Sequence, residues 1–94
     1  MSRYINNKIL ETYKDHKIGD LVRTESSRKQ FHWIVSDIHT VVDKYVFIRG
    51  KQISLNNLKK GNPPMPNARE TILFSYAIKT EEQFPISDAV TIKS

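Results

Sequence analysis

The sequence predicts a mostly β fold: a small, strongly bent antiparallel barrel of about five strands, preceded by a short N-terminal helix. Three observations carry this expectation. β-Branched and aromatic residues gather in short runs, as in Phe31-His32-Trp33-Ile34-Val35 and Tyr45-Val46-Phe47-Ile48, which suit a pleated, half-buried surface. Polar or glycine-containing stretches with turn chemistry separate the runs. The chain has 94 residues, enough for one domain with one modest core.

Ile5, Ile9, Leu10 and Tyr13 fall on one face at helical spacing, with polar residues opposite. That pattern predicts a helix over residues 3–14, which Ser2 could cap. Lys17-Ile18-Gly19-Asp20 reads as a turn into the strand Leu21-Val22-Arg23, and Thr24 to Gln30 reads as a polar loop. The next strand is the strongest of the first half. Its alternation puts Phe31, Trp33 and Val35 on one face, and His32, Ile34, Ser36 and Ile38 on the other.

Asp43-Lys44 is a turn before the strand Tyr45 to Arg49. Gly50-Lys51 reads as a two-residue hairpin loop into Gln52-Ile53-Ser54, because glycine at the first position suits a type II′ turn. Ser54 caps a helical turn, Leu55-Asn56-Asn57-Leu58, that Gly61 ends. Asn62 to Ala68 holds three of the four prolines and is a stiff, extended connector. Beyond it, Ile72, Phe74, Tyr76 and Ile78 alternate with Thr71, Leu73, Ser75, Ala77 and Lys79, and Ala89 to Ile92 reads as a closing edge strand. The expected organisation is one domain over 1–94: N-terminal helix 1–16, barrel hairpins 17–61, proline-rich connector 62–70 and C-terminal strands 71–94.

The chain contains no cysteine. Disulfides, thiolate zinc sites and a cysteine nucleophile are excluded, and a reducing compartment is permitted. No apolar run reaches the length of a membrane span, and the first residues show no signal-peptide core; a cytoplasmic protein is expected. His32 and His39, with Asp37 and Asp43 nearby, match no zinc spacing. Gly50-Lys51 lacks the upstream glycine of a phosphate-binding loop, and Ser26 and Ser27 sit in no nucleophile motif. Neither a catalytic constellation nor a cofactor or metal is expected. Lys60-Gly61-Asn62-Pro63-Pro64-Met65-Pro66 fits a basic, proline-rich ligand motif on paper, but reads more simply as the stiff connector.

Charge is the more informative signal. The net charge is +5; residues 1–69 carry +7 and residues 70–94 carry −2. A field of that sign steers acidic partners. The candidate binding positions are Arg23, Arg28 and Lys29 around the polar loop, Arg49 and Lys51 at the expected hairpin, and Lys59 and Lys60 closing the helical turn. Phe31, Trp33, Tyr45 and Phe47 are candidate stacking faces beside phosphates if they lie outside the core.

The stretch from Ile18 to Gly61 resembles the small barrels of the Src-homology-three, Tudor and KOW kind. The residues that carry the likeness are the opening Gly19-Asp20-Leu21-Val22-Arg23, the strand Trp33 to Ile38, the strand Tyr45-Val46-Phe47-Ile48, and the closing turn Ser54-Leu55-Asn56-Asn57-Leu58. The resemblance implies a short, strongly bent sheet with a binding groove between loops, a frame that does not by itself dictate a function. In style the chain, short, cysteine-free and rich in Lys, Asn and Ile, also resembles accessory proteins of bacteriophages, which implies a host protein or nucleic acid as target. The expected function is therefore a non-catalytic interaction module, an inhibitor or modulator docking on an acidic surface of a larger enzyme or nucleic-acid machine. The alternative is a nucleic-acid-binding barrel. Neither a membrane nor a small-molecule substrate is expected.

Overall fold

A computed structural model of the chain describes residues 8–84 and 88–92. Strand makes up 57% of it and helix 7%. The strands are β1 (Ile9–Leu10), β2 (Thr12–Tyr13), β3 (His16–Lys17), β4 (Leu21–Ser26), β5 (Lys29–Val41) and β6 (Tyr45–Ile53). Helix α1 (Leu55–Lys60) follows, then β7 (Glu70–Ala77), β8 (Gln83–Phe84) and β9 (Val90–Ile92).

One antiparallel sheet, curled into a half-barrel, runs in the order β8-β7-β6-β5-β4-β9. β4 to β8 form a meander, and β9 returns to the outer edge of β4, with Leu21 opposite Ile92. The expected barrel is thus a half-barrel: among the described residues β8 pairs with β7 and β9 with β4, and these two outermost strands are not joined to each other. β5 is thirteen residues long and shares one edge between two partners. Its first part pairs with β4, while Ile38 and His39 pair with Leu10 and Ile9 of β1.

Of the expected N-terminal helix, residues 3–7 lie outside the described chain; among the described residues 8–14 none is helical, and Ile9–Leu10 and Thr12–Tyr13 are strands. The apolar spacing is used differently: Lys8 and Thr40 exchange hydrogen bonds, strand pairing turns Leu10 onto the core, and Ile9 is left 84% exposed. β2 and β3 make a small separate hairpin. It lies against the concave face, where Tyr13 and buried His16 meet the rings of Phe74 and Tyr76.

Two bulges govern which side chains reach the core. The β5–β6 register slips at Ser36, and the β6–β7 register slips at Leu73. An inserted residue reverses the alternation beyond it. Ile38 therefore joins Trp33 and Val35 on the concave face, against the expectation that it would face away with Ile34. By the same slip Ile72 parts from Phe74 and Tyr76, and Leu73 turns inward.

Gly50 does not make a hairpin loop, because β6 runs unbroken from Tyr45 to Ile53. Its role is close packing: a Cβ there would lie 2.5 Å from Leu73 Cδ1. Thr24 to Gln30, expected as a loop, is mostly strand. β4 and β5 meet across a two-residue turn at Ser27-Arg28, both with positive φ, as a type I′ turn requires. The core is Val22, Trp33, Val35, Ile38, Val46, Ile48, Leu73, Phe74 and Tyr76. Each large apolar side chain sunk there contributes about 1.5–3 kcal/mol.

Elsewhere the local chemistry acts as read. Gly19 takes φ 96° at the entry to β4, and its N–H donates to the Val35 carbonyl. Ser54 caps α1 by accepting from the Asn57 N–H, and Gly61 ends the helix in the left-handed conformation.

Candidate functional site

The meander sorts side chains to the two ends of the sheet. One end carries the β4–β5 turn, the end of β6 with α1, and the start of β7. The other carries the β5–β6 turn and the β7–β8 turn. Arg28 and Lys29 occupy the first end, at the turn. Arg23 lies three residues in from the pair that closes the turn, opposite His32 and in the same row as Ile53, directly before the Ser54 cap of α1. Lys51 is one row further along on the same convex face, opposite Ile34 and Glu70. Lys59 and Lys60 form the last turn of α1. The structure thus brings the predicted basic positions to one end of the molecule, although not around the hairpin that sequence placed at Gly50.

Arg49 is the exception. It sits mid-strand, and its guanidinium donates to Glu70 Oε1 at 2.7 Å, while Ser36 donates to the second oxygen of Glu70. It is thereby committed to a partner within the chain. Lys51 reaches the Pro66 carbonyl at 3.5 Å. Asp15, Asp43, Glu81 and Glu82, with Lys8, Lys14, Lys44 and Lys79, lie toward the opposite end, where the two signs balance.

Sequence could not show the cleft at the cationic end. It has a volume of about 330 Å³ and opens on the concave side, between Thr24, Glu25 and Ser26 of β4 and Thr71, Ile72 and Leu73 of β7. Phe31 and Trp33 form its wall, and Arg69 stands on its rim. A second depression of about 300 Å³, between α1 and the connector, shares Arg69. That arginine closes the proline-rich segment and gave no motif signal; its charge was its only visible mark.

The candidate stacking residues divide. Phe31 is half-buried and faces the cleft. Trp33 is 6% exposed, and its indole N–H donates to Thr24 Oγ1 at 3.0 Å, so it supplies a wall and leaves no free ring face. Tyr45 and Phe47 are on the convex face at the far end. Tyr45 contacts the rings of Phe47 and Phe84, and Phe47 that of His39. This aromatic strip is remote from the predicted basic positions, so those cations and these rings do not coincide.

His39 Nδ1 is 2.6 Å from Asp37 Oδ2, whereas His16 is buried, with Nε2 2.6 Å from the Tyr76 hydroxyl. Burial raises the Tyr76 pKa, and the neighbouring Tyr13 and Asp15 push it the same way. Among the described residues no three His, Cys, Asp or Glu side chains are grouped to hold a metal ion, and no helix is long and apolar enough to cross a membrane. No family model, curated protein or solved structure matches the chain.

Proposed function

We propose that the chain is a non-catalytic interaction module that docks its cationic end onto an acidic surface of a partner protein. The observation that carries this reading is the gathering of Arg23, Arg28, Lys29, Lys59, Lys60 and Arg69 at one end of the sheet. Nearby acids are fewer, and two are already engaged: Glu25 accepts from Gln30, and Glu70 holds Arg49. A surface of one sign speeds encounter with its complement and discourages partners of like charge. A larger host enzyme or nucleic-acid machine is a target of the right character, as the likeness in style to phage accessory proteins also suggests. The separation of the exposed Tyr45 ring from this cationic end favours protein over nucleic acid.

The test is affinity capture from nuclease-treated lysate, comparing the parent chain with the Arg28→Glu, Lys29→Glu, Lys59→Glu, Lys60→Glu variant. All four residues are exposed, so the variant is expected to stay folded. The expected result is one stoichiometric protein, released by salt and lost with the variant. Equal capture by both chains, or recovery of nucleic acid alone, overturns the reading.

A further inference from the structure

The depression between α1 and the connector is built by a single stretch of chain at the cationic end. β6 ends at Ile53, α1 follows its Ser54 cap, and the connector returns to β7 at Glu70. The cavity of about 300 Å³ opens inside this loop, and all of its lining falls within residues 52–69. None of the described residues that border the rest of the chain, Lys8, Phe84, Asp88 and Ile92, belongs to that lining.

The loop is tied at three points. The Gln52 N–H donates to the Arg69 carbonyl at 2.8 Å and joins its two ends. The Asn62 N–H donates to the Asn57 carbonyl at 2.9 Å, where α1 passes into the connector. The Ala68 N–H donates to the Met65 carbonyl at 3.0 Å, closing a turn whose first corner is Pro66. Asn57, Asn67 and Arg69 are thus positioned before any ligand arrives, which lowers the ordering cost of binding.

The polar lining is rich in donors. Among the described residues, the Arg69 guanidinium and the carboxamides of Gln52 and Asn67 have no hydrogen-bond or ion-pair partner. Asn57 Oδ1 accepts from Asn62 at 3.4 Å, which leaves the Asn57 amino group to donate elsewhere. Arg69 alone among the lining residues carries a charge. Neutral donors around one guanidinium, with no carboxylate of their own, select an anion of single charge. Ile53, Met65 and Ala68 complete the lining with apolar surface, which suits a ligand with a methylene stem. At the lower limit of small-molecule sites, about 300–1,000 Å³, the space fits a side chain better than a cofactor.

We infer that this cleft receives one acidic side chain, a glutamate or aspartate, of the partner protein. The planar fork of Arg69 meets both carboxylate oxygens, the amino groups of Asn57 and Asn67 donate alongside, and the stem lies against Met65. The inference rests on the cationic end being the docking end; the lysines around it steer the encounter, and the cleft sets the register.

The test is NMR titration of isotopically labelled protein with a blocked pentapeptide, one glutamate flanked by alanines. Beside it run its glutamine counterpart, an acetylated alanine peptide with a free C-terminal carboxylate, and an oligothymidylate. The glutamate peptide is expected to shift the side-chain N–H signals of Asn57, Asn67 and Arg69, and the glutamine peptide to leave them in place. Asn57→Ala with Asn67→Ala keeps every charge, and the Ser54 cap bonds only the backbone of Asn57. This variant is expected to bind the glutamate peptide about tenfold more weakly. Arg69→Gln, at an exposed position, is expected to abolish binding, and Arg69→Lys to restore it only in part. Equal response to the glutamate and glutamine peptides, or full affinity in the double asparagine variant, overturns the inference. So does a stronger response to the free C-terminus, which moves the carboxylate to a chain end, or tighter binding of oligothymidylate at the same signals, which replaces it with phosphate. Failure of the glutamate peptide while capture still depends on the four charges removes the cleft alone; failure of both experiments removes both readings.

Discussion

Gly50→Ala tests the packing at the crossing of the two bulges. Gly50 is buried in mid-strand and is not in the left-handed region, so backbone freedom does not explain its identity. A Cβ would meet Leu73 Cδ1 at 2.5 Å and the Ile34 carbonyl oxygen at 3.1 Å. Leu73 can yield by swinging toward the cleft it lines, whereas the carbonyl belongs to the β5 backbone and cannot. Overpacking of this kind costs about 1–3 kcal/mol, and alanine recovers about 0.5–1 kcal/mol relative to glycine in a strand. The net expectation is a loss of about 1–2 kcal/mol, or a Tm lower by about 5–15 °C at about 4–8 °C per kcal/mol. Urea unfolding followed by Trp33, the single tryptophan, measures it directly. Leu73→Ala alone is expected to cost about 2–5 kcal/mol, and the double variant to be at least about 1 kcal/mol more stable than additivity predicts, since the clash is gone. A neutral or stabilising Gly50→Ala, or strict additivity, refutes the steric account.

Thr24→Val removes the acceptor of the Trp33 indole N–H and is expected to cost about 1–2 kcal/mol, with a shift in Trp33 emission; unchanged emission and stability would contradict the hydrogen bond. Val42, a β-branched residue at φ 54° and 50% exposed, occupies a turn position that favours asparagine, so Val42→Asn is expected to stabilise by about 0.5–1 kcal/mol, read as a higher urea midpoint at constant slope. The raised Tyr76 pKa means that the folded state holds this proton more tightly than the unfolded state. Its contribution is therefore complete below about pH 10 and is lost as pH rises through the folded value. Urea midpoints across that alkaline window are expected to fall more steeply for the parent than for Tyr76→Phe, and parallel slopes would contradict it.

Much of the fold was legible in local chemistry. The strands from Phe31 and Tyr45, the Gly19 entry, and the Ser54 and Gly61 caps of α1 follow from residues close together in the chain. The N-terminal segment was misread because Ile9, Leu10 and Tyr13 match a helical face over too few residues to outweigh pairing with β5. Strict alternation puts Ile38 and Ile72 on the wrong faces because a bulge depends on the partner strand, and no local pattern marks Ser36 or Leu73. Gly50 looked like a turn residue when it was answering to Leu73, far along the chain. At the candidate site the cations were visible as charges, yet the cleft exists only because the sheet curls. That curl is what recruits Arg69 to Phe31 and Trp33.

The layout of the sheet also dictates an order of assembly. β4 to β7 are joined through neighbours in sequence, whereas the seating of β9 beside Leu21 to Arg23 pairs residues as far apart as Leu21 and Ile92. Contacts that close long loops form late and carry the larger entropic cost. The meander is thus the first part able to stand, and the β4–β9 ladder is expected to close last. The chain thus has its longest loop closure directly beside the surface through which it is proposed to work.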